Sequence, residues 1–90
     1  MQKIYKYPLP ITDEFVIEMP AMHRLLLVDT QKGMPFVWAL VNPDTEKILV
    51  TFRIYGTGHG IKDVDKMQYV GTFQEDFGNL VWHVFKVLDA

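Results

Sequence analysis

Apolar and polar residues alternate along most of this chain with a period of two, and no window shows the helical period of about 3.6 residues. In residues 47–55, for example, the apolar residues Val50, Phe52 and Ile54 alternate with residues that are partly polar and partly apolar. The face with Val50, Phe52 and Ile54 is therefore predicted to pack in the core. The pattern predicts seven strands, at about 2–7, 15–19, 23–30, 34–42, 47–55, 67–74 and 80–88. A turn or two of helix is predicted only around 63–67 or 12–15.

Proline, glycine and acidic turn residues separate these segments, as at Pro8 and Gly33. Several short strands at regular spacing predict a single all-β domain over residues 1–90, a small antiparallel sandwich or a partly open barrel. We expect mainly hairpin connections, with an up-and-down order as the simplest topology. Segment 34–42 is apolar on both sides and is expected to be covered on both faces. Segment 80–88 is also apolar on both sides, as expected for a central strand.

Composition narrows the function classes. The 90 residues suit one domain, and a net charge of -2 provides no basic field for duplex nucleic acid. The absence of cysteine excludes a thiol nucleophile and a cysteine-based zinc site. The longest apolar runs are too short to cross a bilayer, and the start lacks the apolar core of a signal peptide. We therefore expect no membrane partner and a cytoplasmic location.

Residues 55–61, YGTGHGI, contain three of the six glycines and one of the three histidines. A Walker-type phosphate loop needs a lysine and a hydroxyl residue directly after the glycines, and a dinucleotide fingerprint needs a longer glycine spacing before a helix. Neither pattern is present. The simplest interpretation is a glycine corner at the end of a strand, and the functional alternative is a small anion-binding nest of backbone N–H groups.

Arg53 lies two residues before Tyr55 on the mixed face of one predicted strand, next to this corner. The arrangement predicts a pocket for a phosphorylated or planar ligand, although arginine and tyrosine are also common on outer sheet faces. The predicted ligand-binding residues are Arg53, Tyr55, Gly56, Thr57, Gly58 and His59. Tyr5, Lys6 and Tyr7 would join them if the first strand lies beside the fifth.

No catalytic or metal-binding constellation is recognisable. The chain lacks serine and cysteine, its paired carboxylates fall in predicted turns, and its histidines share no ligand spacing. His83, between Trp82 and Val84, is predicted to be a buried or half-buried histidine that bonds a backbone carbonyl. The sequence predicts a protein that is not an enzyme and holds no metal or cofactor, with His59-assisted hydrolysis of a phosphate ester ranked last.

Five segments carry a resemblance over nearly the whole chain: IYKYPLPITDEFVIEMP, WALVNP, TFRIYGTGHGI, YVGTFQ and LVWHVFKV. Together they resemble a small family of uncharacterised proteins of bacteriophages and prophages. In that family the residue after the loop histidine is usually proline, whereas here it is Gly60, and this chain continues past the usual ending through residues 86–90. The resemblance implies a phage-type protein in the bacterial host cytoplasm, and it brings no catalytic residues.

The expected function is noncatalytic binding by stoichiometric capture of a host protein or a small, phosphorylated, nucleotide-like signal, with an anti-defence role as one use. Strand edges and the aromatic residues Tyr5, Tyr7, Tyr55 and Phe77, expected to be exposed, favour a homodimer or larger homo-oligomer. The alternative is a structural or regulatory module that contacts proteins through a sheet edge and has no small-molecule ligand.

Overall fold

A computed structural model describes residues 1–88; Asp89 and Ala90, the end of the C-terminal extension, lie outside the described residues. The alternating segments all form strands: Lys3–Pro8 (β1), Glu14–Pro20 (β2), His23–Gln31 (β3), Met34–Val41 (β4), Lys47–Gly56 (β5), Met67–Glu75 (β6) and Leu80–Val87 (β7). Two 3₁₀ turns, Val64–Lys66 and Asp76–Gly78, are the only helical elements in this part of the chain. The first confirms the turn predicted around 63–67, whereas residues 12–15 form a bend and the start of β2.

The strands form two antiparallel sheets, a first sheet of order β1-β4-β3 and a second sheet of order β2-β5-β7-β6. This confirms the all-β class, with the sheets not closed into a barrel. The up-and-down order is wrong, because only the pairs β3–β4 and β6–β7 join consecutive strands. The chain crosses between the sheets after β1, β2 and β4. Alternation determines which side of a strand is buried, but it does not determine which strand becomes its neighbour.

The core lies between the two sheets. Phe52 is fully buried in β5 and stacks on Phe15 of β2, with ring centroids 5.5 Å apart. At one end of the core the Lys86 ammonium donates to Nε2 of His23, 3.2 Å away, and so links the second sheet to the first. The buried cluster is apolar throughout and consists of Leu9, Met19, Val28, Val37, Val50, Phe52, Ile54, Phe73 and Val84.

The two sheets approach each other most closely at β3 and β6. A Cβ atom at Gly71 would lie only 2.7 Å from Cβ of Val28, so glycine permits this approach. Both strands shift register nearby, β3 between Leu25 and Leu27 and β6 between Tyr69 and Gly71. Such bulges increase the local twist of a strand, which suits a corner where two sheets meet.

The outward sides of the central strands β4 and β7 are less buried than their apolar sequences predicted. In β4, Val37 and Ala39 are buried, but Phe36, Trp38 and Leu40 are only half-buried on the opposite side. The outward side chains of β7 are likewise half-buried. The prediction that both faces of β4 are covered is wrong, because each sheet packs on the other with one face only, whereas the prediction that β7 is a central strand is confirmed. Residues 1–88 also form no helix of the length and apolarity needed to span a membrane.

Candidate functional site

The glycine-rich segment makes a tight turn at the end of β5. The His59 N–H donates to the Gly56 carbonyl at 3.1 Å, and Gly58 has a φ of +89°, as the third residue of a type II turn requires. The Thr57 N–H donates to the carbonyl of Val81 at 3.3 Å and extends the pairing of β5 with β7. Two N–H groups that an anion nest would use therefore already donate within the chain, and the segment is a corner of the fold.

The ring of His59 folds back onto Gly56. A Cβ atom at Gly56 would lie 2.9 Å from Cε1 of His59, so only glycine leaves room for the ring in this position. Gly58 and Gly60, by contrast, have open space beside them. His59 itself is exposed and stands between two hollows on the surface.

The larger of these hollows is open and has a volume of about 560 Å³. It brings together Arg53, Tyr55 and His59 of the predicted site. The lining residues carry both signs of charge and are Asp13, Glu14, Arg53, Ile54, Tyr55, His59, Gly60 and Lys62. A hollow of mixed charge provides a much weaker field for an anion than a basic pocket does.

Arg53 is already engaged by a carboxylate. Its Nε donates to Oε1 of Glu14 at 2.8 Å, and the two residues lie directly opposite each other in the β2–β5 ladder. The pKa of the Arg53 guanidinium is raised, first by this hydrogen bond to Glu14 and then by the neighbouring hydroxyl of Tyr55. Both partners of the ion pair are partly exposed, so it contributes little to stability. Its functional consequence is larger, because a phosphate would have to compete with Glu14 for Arg53.

Tyr55 belongs to a row of three rings across the outward face of the second sheet. The centroid of Phe85 lies 5.8 Å from that of Tyr55 and 5.6 Å from that of Tyr69, both in edge-to-face geometry. The ladder explains the row, since Phe85 of β7 lies opposite Arg53 of β5 and opposite Tyr69 of β6. Tyr69, at the outer end of the row, is 56% exposed.

Next to the row, His83 lies in a chain of hydrogen bonds. Its Nε2 is 2.8 Å from Oγ1 of Thr57, its Nδ1 is 3.0 Å from Oγ1 of Thr72, and Thr72 also bonds the hydroxyl of Tyr69. Hydroxyl groups both donate and accept, so either tautomer of the imidazole is satisfied. The prediction of a half-buried His83 is confirmed, but the predicted bond to a backbone carbonyl is wrong.

Sequence reasoning missed Tyr69 and Thr72 entirely. Tyr69 and Thr72 are three residues apart, so strict alternation would place them on opposite faces of β6. They share the outward face only because the register between β6 and β7 shifts between Tyr69 and Gly71. That register includes the bulge before Gly71, which nothing in the local pattern specifies.

The second hollow, of about 270 Å³, lies on the other side of His59. Its lining residues come from the corner and from the start of β7: Gly56, Thr57, His59, Asn79, Leu80, Val81 and Trp82. The predicted site is therefore divided. His59 borders both hollows, Arg53 and Tyr55 border one, Gly56 and Thr57 border the other, and Gly58 borders neither.

Tyr5, Lys6 and Tyr7 do not join this site, because β1 pairs with β4 in the first sheet. Of the four aromatic residues expected to be exposed, Phe77 is fully exposed and Tyr5 is 37% exposed, whereas Tyr7 and Tyr55 are half-buried. Within residues 1–88, no group of three or more histidine, aspartate and glutamate side chains could hold a metal ion.

Comparison with known proteins identifies the family of this chain. Neither the curated proteins nor the solved structures give a match. A family model, in contrast, matches the sequence from end to end. Over residues 1–90, the chain belongs to the family described as a domain of unknown function, DUF7352.

Proposed function

We propose that this protein is a noncatalytic binding protein that captures a partner protein in stoichiometric amounts through the outward face of its second sheet. The observation that carries the proposal is the row of rings on that face, flanked by an arginine and a histidine. We call this surface the aromatic patch and define it as Arg53, Tyr55, Tyr69, His83 and Phe85. Tyrosine, phenylalanine and arginine are enriched in protein interfaces, and tyrosine and arginine dominate their binding energy.

The shape of the surface favours a protein over a small molecule. Small-ligand sites are concave and bury most of the ligand, whereas the hollow beside Arg53 is wide open. A broad partner surface can cover the patch and the hollow together. The Arg53–Glu14 pair would then present a donor and an acceptor side by side to that partner.

The patch is also preorganised. The hydrogen bonds that run from Thr57 through His83 and Thr72 to Tyr69 hold their side chains in place before any partner arrives. Fixing rotamers on binding costs about 0.5–1.5 kcal/mol for each flexible side chain, and prior order avoids part of this cost. Edge-to-face packing on Phe85 restrains both tyrosine rings in the same way.

A second candidate is capture of a nucleotide-like signal in the 560 Å³ hollow. What favours it is that Arg53, Lys62 and His59 surround this hollow together with the ring of Tyr55, a set that suits a phosphate and a planar base. Binding of a phosphate would require Arg53 to exchange Glu14 for the ligand. Under this candidate, Glu14→Gln strengthens binding, since it removes the competing carboxylate.

The resemblance to bacteriophage and prophage proteins supports the remaining part of the proposal. The captured partner is then a protein of the bacterial host cytoplasm, and capture acts against host defence. The alternative is a structural or regulatory module that adds a partner strand to a sheet edge such as β2 or β6. In that case the aromatic patch is incidental to binding.

The test begins with recovery of partners from a host lysate on the immobilised protein, followed by titration calorimetry of the purified partner against variants. We expect Tyr69→Ala and Arg53→Ala each to weaken binding by tenfold or more while the melting temperature stays nearly unchanged. Phe77→Ala is the matched control, because Phe77 is a fully exposed aromatic residue on the β6–β7 turn, outside the patch. Unchanged affinity in both patch variants would contradict the proposal and favour edge binding.

Native mass spectrometry separates the two candidates. Protein purified from bacteria is compared with the same protein after unfolding and refolding. A bound mass in the range of a nucleotide that disappears on refolding supports the signal candidate, and Arg53→Ala must then remove it as well. A single apo mass before and after refolding supports protein capture.

A further inference from the structure

The outward face of the first sheet is a second exposed surface with a different chemistry. Ile4, Leu27 and Met34 on this face are 61%, 52% and 58% exposed. Trp38 of β4 lies at its centre, opposite Lys6 of β1 and opposite Leu27 of β3. The apolar members of the face are Ile4, Leu27, Met34, Phe36, Trp38 and Leu40. A contiguous apolar surface of this kind marks an interaction site.

Two exposed charges of opposite sign flank the centre of this face on β3. Arg24 lies opposite Leu40, on one side of the Trp38 level, and Asp29 lies opposite Phe36, on the other side. A two-fold axis that passes over Trp38, parallel to the face and perpendicular to the strands, therefore places Arg24 of one copy over Asp29 of a second copy. The same operation creates the reciprocal pair, which is the self-complementarity that an isologous dimer interface requires.

The same axis also brings a protruding side chain of one copy to a hollow on the other copy. Met34 lies at one end of the face, four positions before Trp38 along β4. At the other end, at the level of Asn42, there is a hollow of about 560 Å³ bordered by Leu40 and Arg24. Because the axis reverses the strand direction, Met34 of the second copy falls at this hollow. Methionine is a flexible side chain that fills irregular apolar spaces well.

We infer that a second copy of this chain covers the outward face of the first sheet, with β4 of one copy antiparallel to β4 of the other. The two first sheets then pack face to face in the aligned manner of a β-sandwich. The interface is distinct from the aromatic patch, which stays open on the second sheet of each copy. Dimerisation is therefore independent of the function proposed above.

The dimer is expected to be concentration-dependent. Three strands spaced about 4.8 Å apart make a face only about 14 Å wide. Lys6 lies opposite Trp38, at the level of the axis, so the dimer also brings it close to Lys6 of the second copy. Its ammonium lies 4.5 Å from the centroid of Phe36 and donates to Oε1 of Gln31 at 2.7 Å. Removing this charge from water opposes association, even with these two partners.

Charge reversal tests the inference directly by sedimentation velocity over a concentration series. Wild type is expected to sediment as a dimer at high concentration and to dissociate on dilution. Arg24→Glu leaves both positions acidic, and Asp29→Arg leaves both basic, so each variant alone is expected to stay monomeric. An equimolar mixture of the two variants restores dimers with one copy of each, because both interchain pairs are then opposite in charge.

An apolar pair of variants provides the matched control. Leu27→Lys places a charge at the centre of the face and is expected to abolish the dimer. Leu49 is 69% exposed on the outward face of the second sheet, so Leu49→Lys is expected to leave the dimer intact. Circular dichroism and melting curves check that all four variants fold.

Three results would overturn the inference. They are a wild-type monomer at the highest soluble concentration, single charge variants that dimerise like wild type, or a dimer that Leu49→Lys abolishes and Leu27→Lys does not. Capture of a different protein through the first sheet by a monomeric wild type counts against it in the same way.

Discussion

Strands β4 and β5 are alike on their inward sides and different on their outward sides. Inward, each buries alternate residues over most of its length, among them Val37 in β4 and Phe52 in β5. Outward, β4 presents large apolar side chains around Trp38, whereas β5 mixes Arg53 and Tyr55 with aliphatic and polar residues. The inward sides are constrained by the common core, so they tell how the chain folds. The outward sides are free of that constraint, so their difference carries information about partners.

The difference between the two outward faces suggests two kinds of contact. The face around Trp38 is mainly apolar, with charged residues such as Arg24 and Asp29 beside its centre. It resembles homodimer interfaces, which are more apolar than the rest of a protein surface. A face of tyrosine, arginine and histidine suits a more polar interface that forms and dissociates. Under the two proposals made above, the second sheet is the surface for capture and the first sheet is the surface for self-association.

The largest expected effect tests the inward side. Phe52→Ala removes a fully buried ring that stacks on Phe15, and we expect it to lower the free energy of unfolding by about 3–5 kcal/mol. Leu49→Ala, three residues earlier on the outward side of the same strand, should change it by less than about 0.5 kcal/mol. Urea unfolding of both variants measures the contrast. Equal losses of unfolding free energy in the two variants would contradict the burial of β5 on one side and its exposure on the other.

The next effect tests the contact between the sheets. Gly71→Ala places a methyl group against Cβ of Val28, so we expect a loss of about 1–3 kcal/mol from overpacking at this corner. Gly60→Ala is the matched control, because nothing lies within 4 Å of the added methyl group and the φ of Gly60 is not positive. The control should stay within about 0.5 kcal/mol of wild type in the same urea titration. A neutral Gly71→Ala would show that β3 and β6 can separate at no cost.

Some features of the fold follow from the sequence and others do not. The positions of the strands and their inward sides follow from alternation, which is a local property. The break between β3 and β4 at Gly33 also follows, since a short hairpin turn requires positive φ values, and both Gly33 and Lys32 have one. The order of strands in each sheet does not follow, because β1 pairs with β4 and β2 pairs with β5 through contacts between distant segments.

The candidate site shows the same division. The placement of Arg53 and Tyr55 on one face beside His59 is a consequence of local spacing, and the structure finds all three around one hollow. Glu14 opposite Arg53 is 39 residues away in the chain, and Thr72 beside His83 is 11 residues away. Their contacts depend on register between strands, and register is determined by the packing of the whole domain.

A smaller effect concerns the corner that separates the two hollows. Gly56→Ala introduces a Cβ atom 2.9 Å from the ring of His59, which is the far end of a flexible side chain and can rotate away. We therefore expect a change of less than about 1 kcal/mol in the free energy of unfolding but a clear shift in the NMR signals of the His59 ring. Gly60→Ala should leave these signals in place. Unchanged signals in Gly56→Ala would mean that the ring does not rest on Gly56.

The smallest effect concerns Tyr7, which faces inward from β1 while Lys6 faces outward. Burial raises the pKa of the Tyr7 phenol above its ordinary value of about 10, and the neighbouring Tyr5 raises it further. Because the folded state holds this proton more tightly than the unfolded state, the associated stability is present below about pH 10 and is lost as the pH rises through the folded pKa. Tyr7→Phe cannot titrate there, so its stability should fall less steeply in alkaline solution. Urea midpoints of wild type and Tyr7→Phe, measured against pH, show the difference. The two profiles should run parallel near neutral pH and converge or cross above about pH 10. Profiles that stay parallel throughout would place Tyr7 in solvent, on the same side of β1 as Lys6.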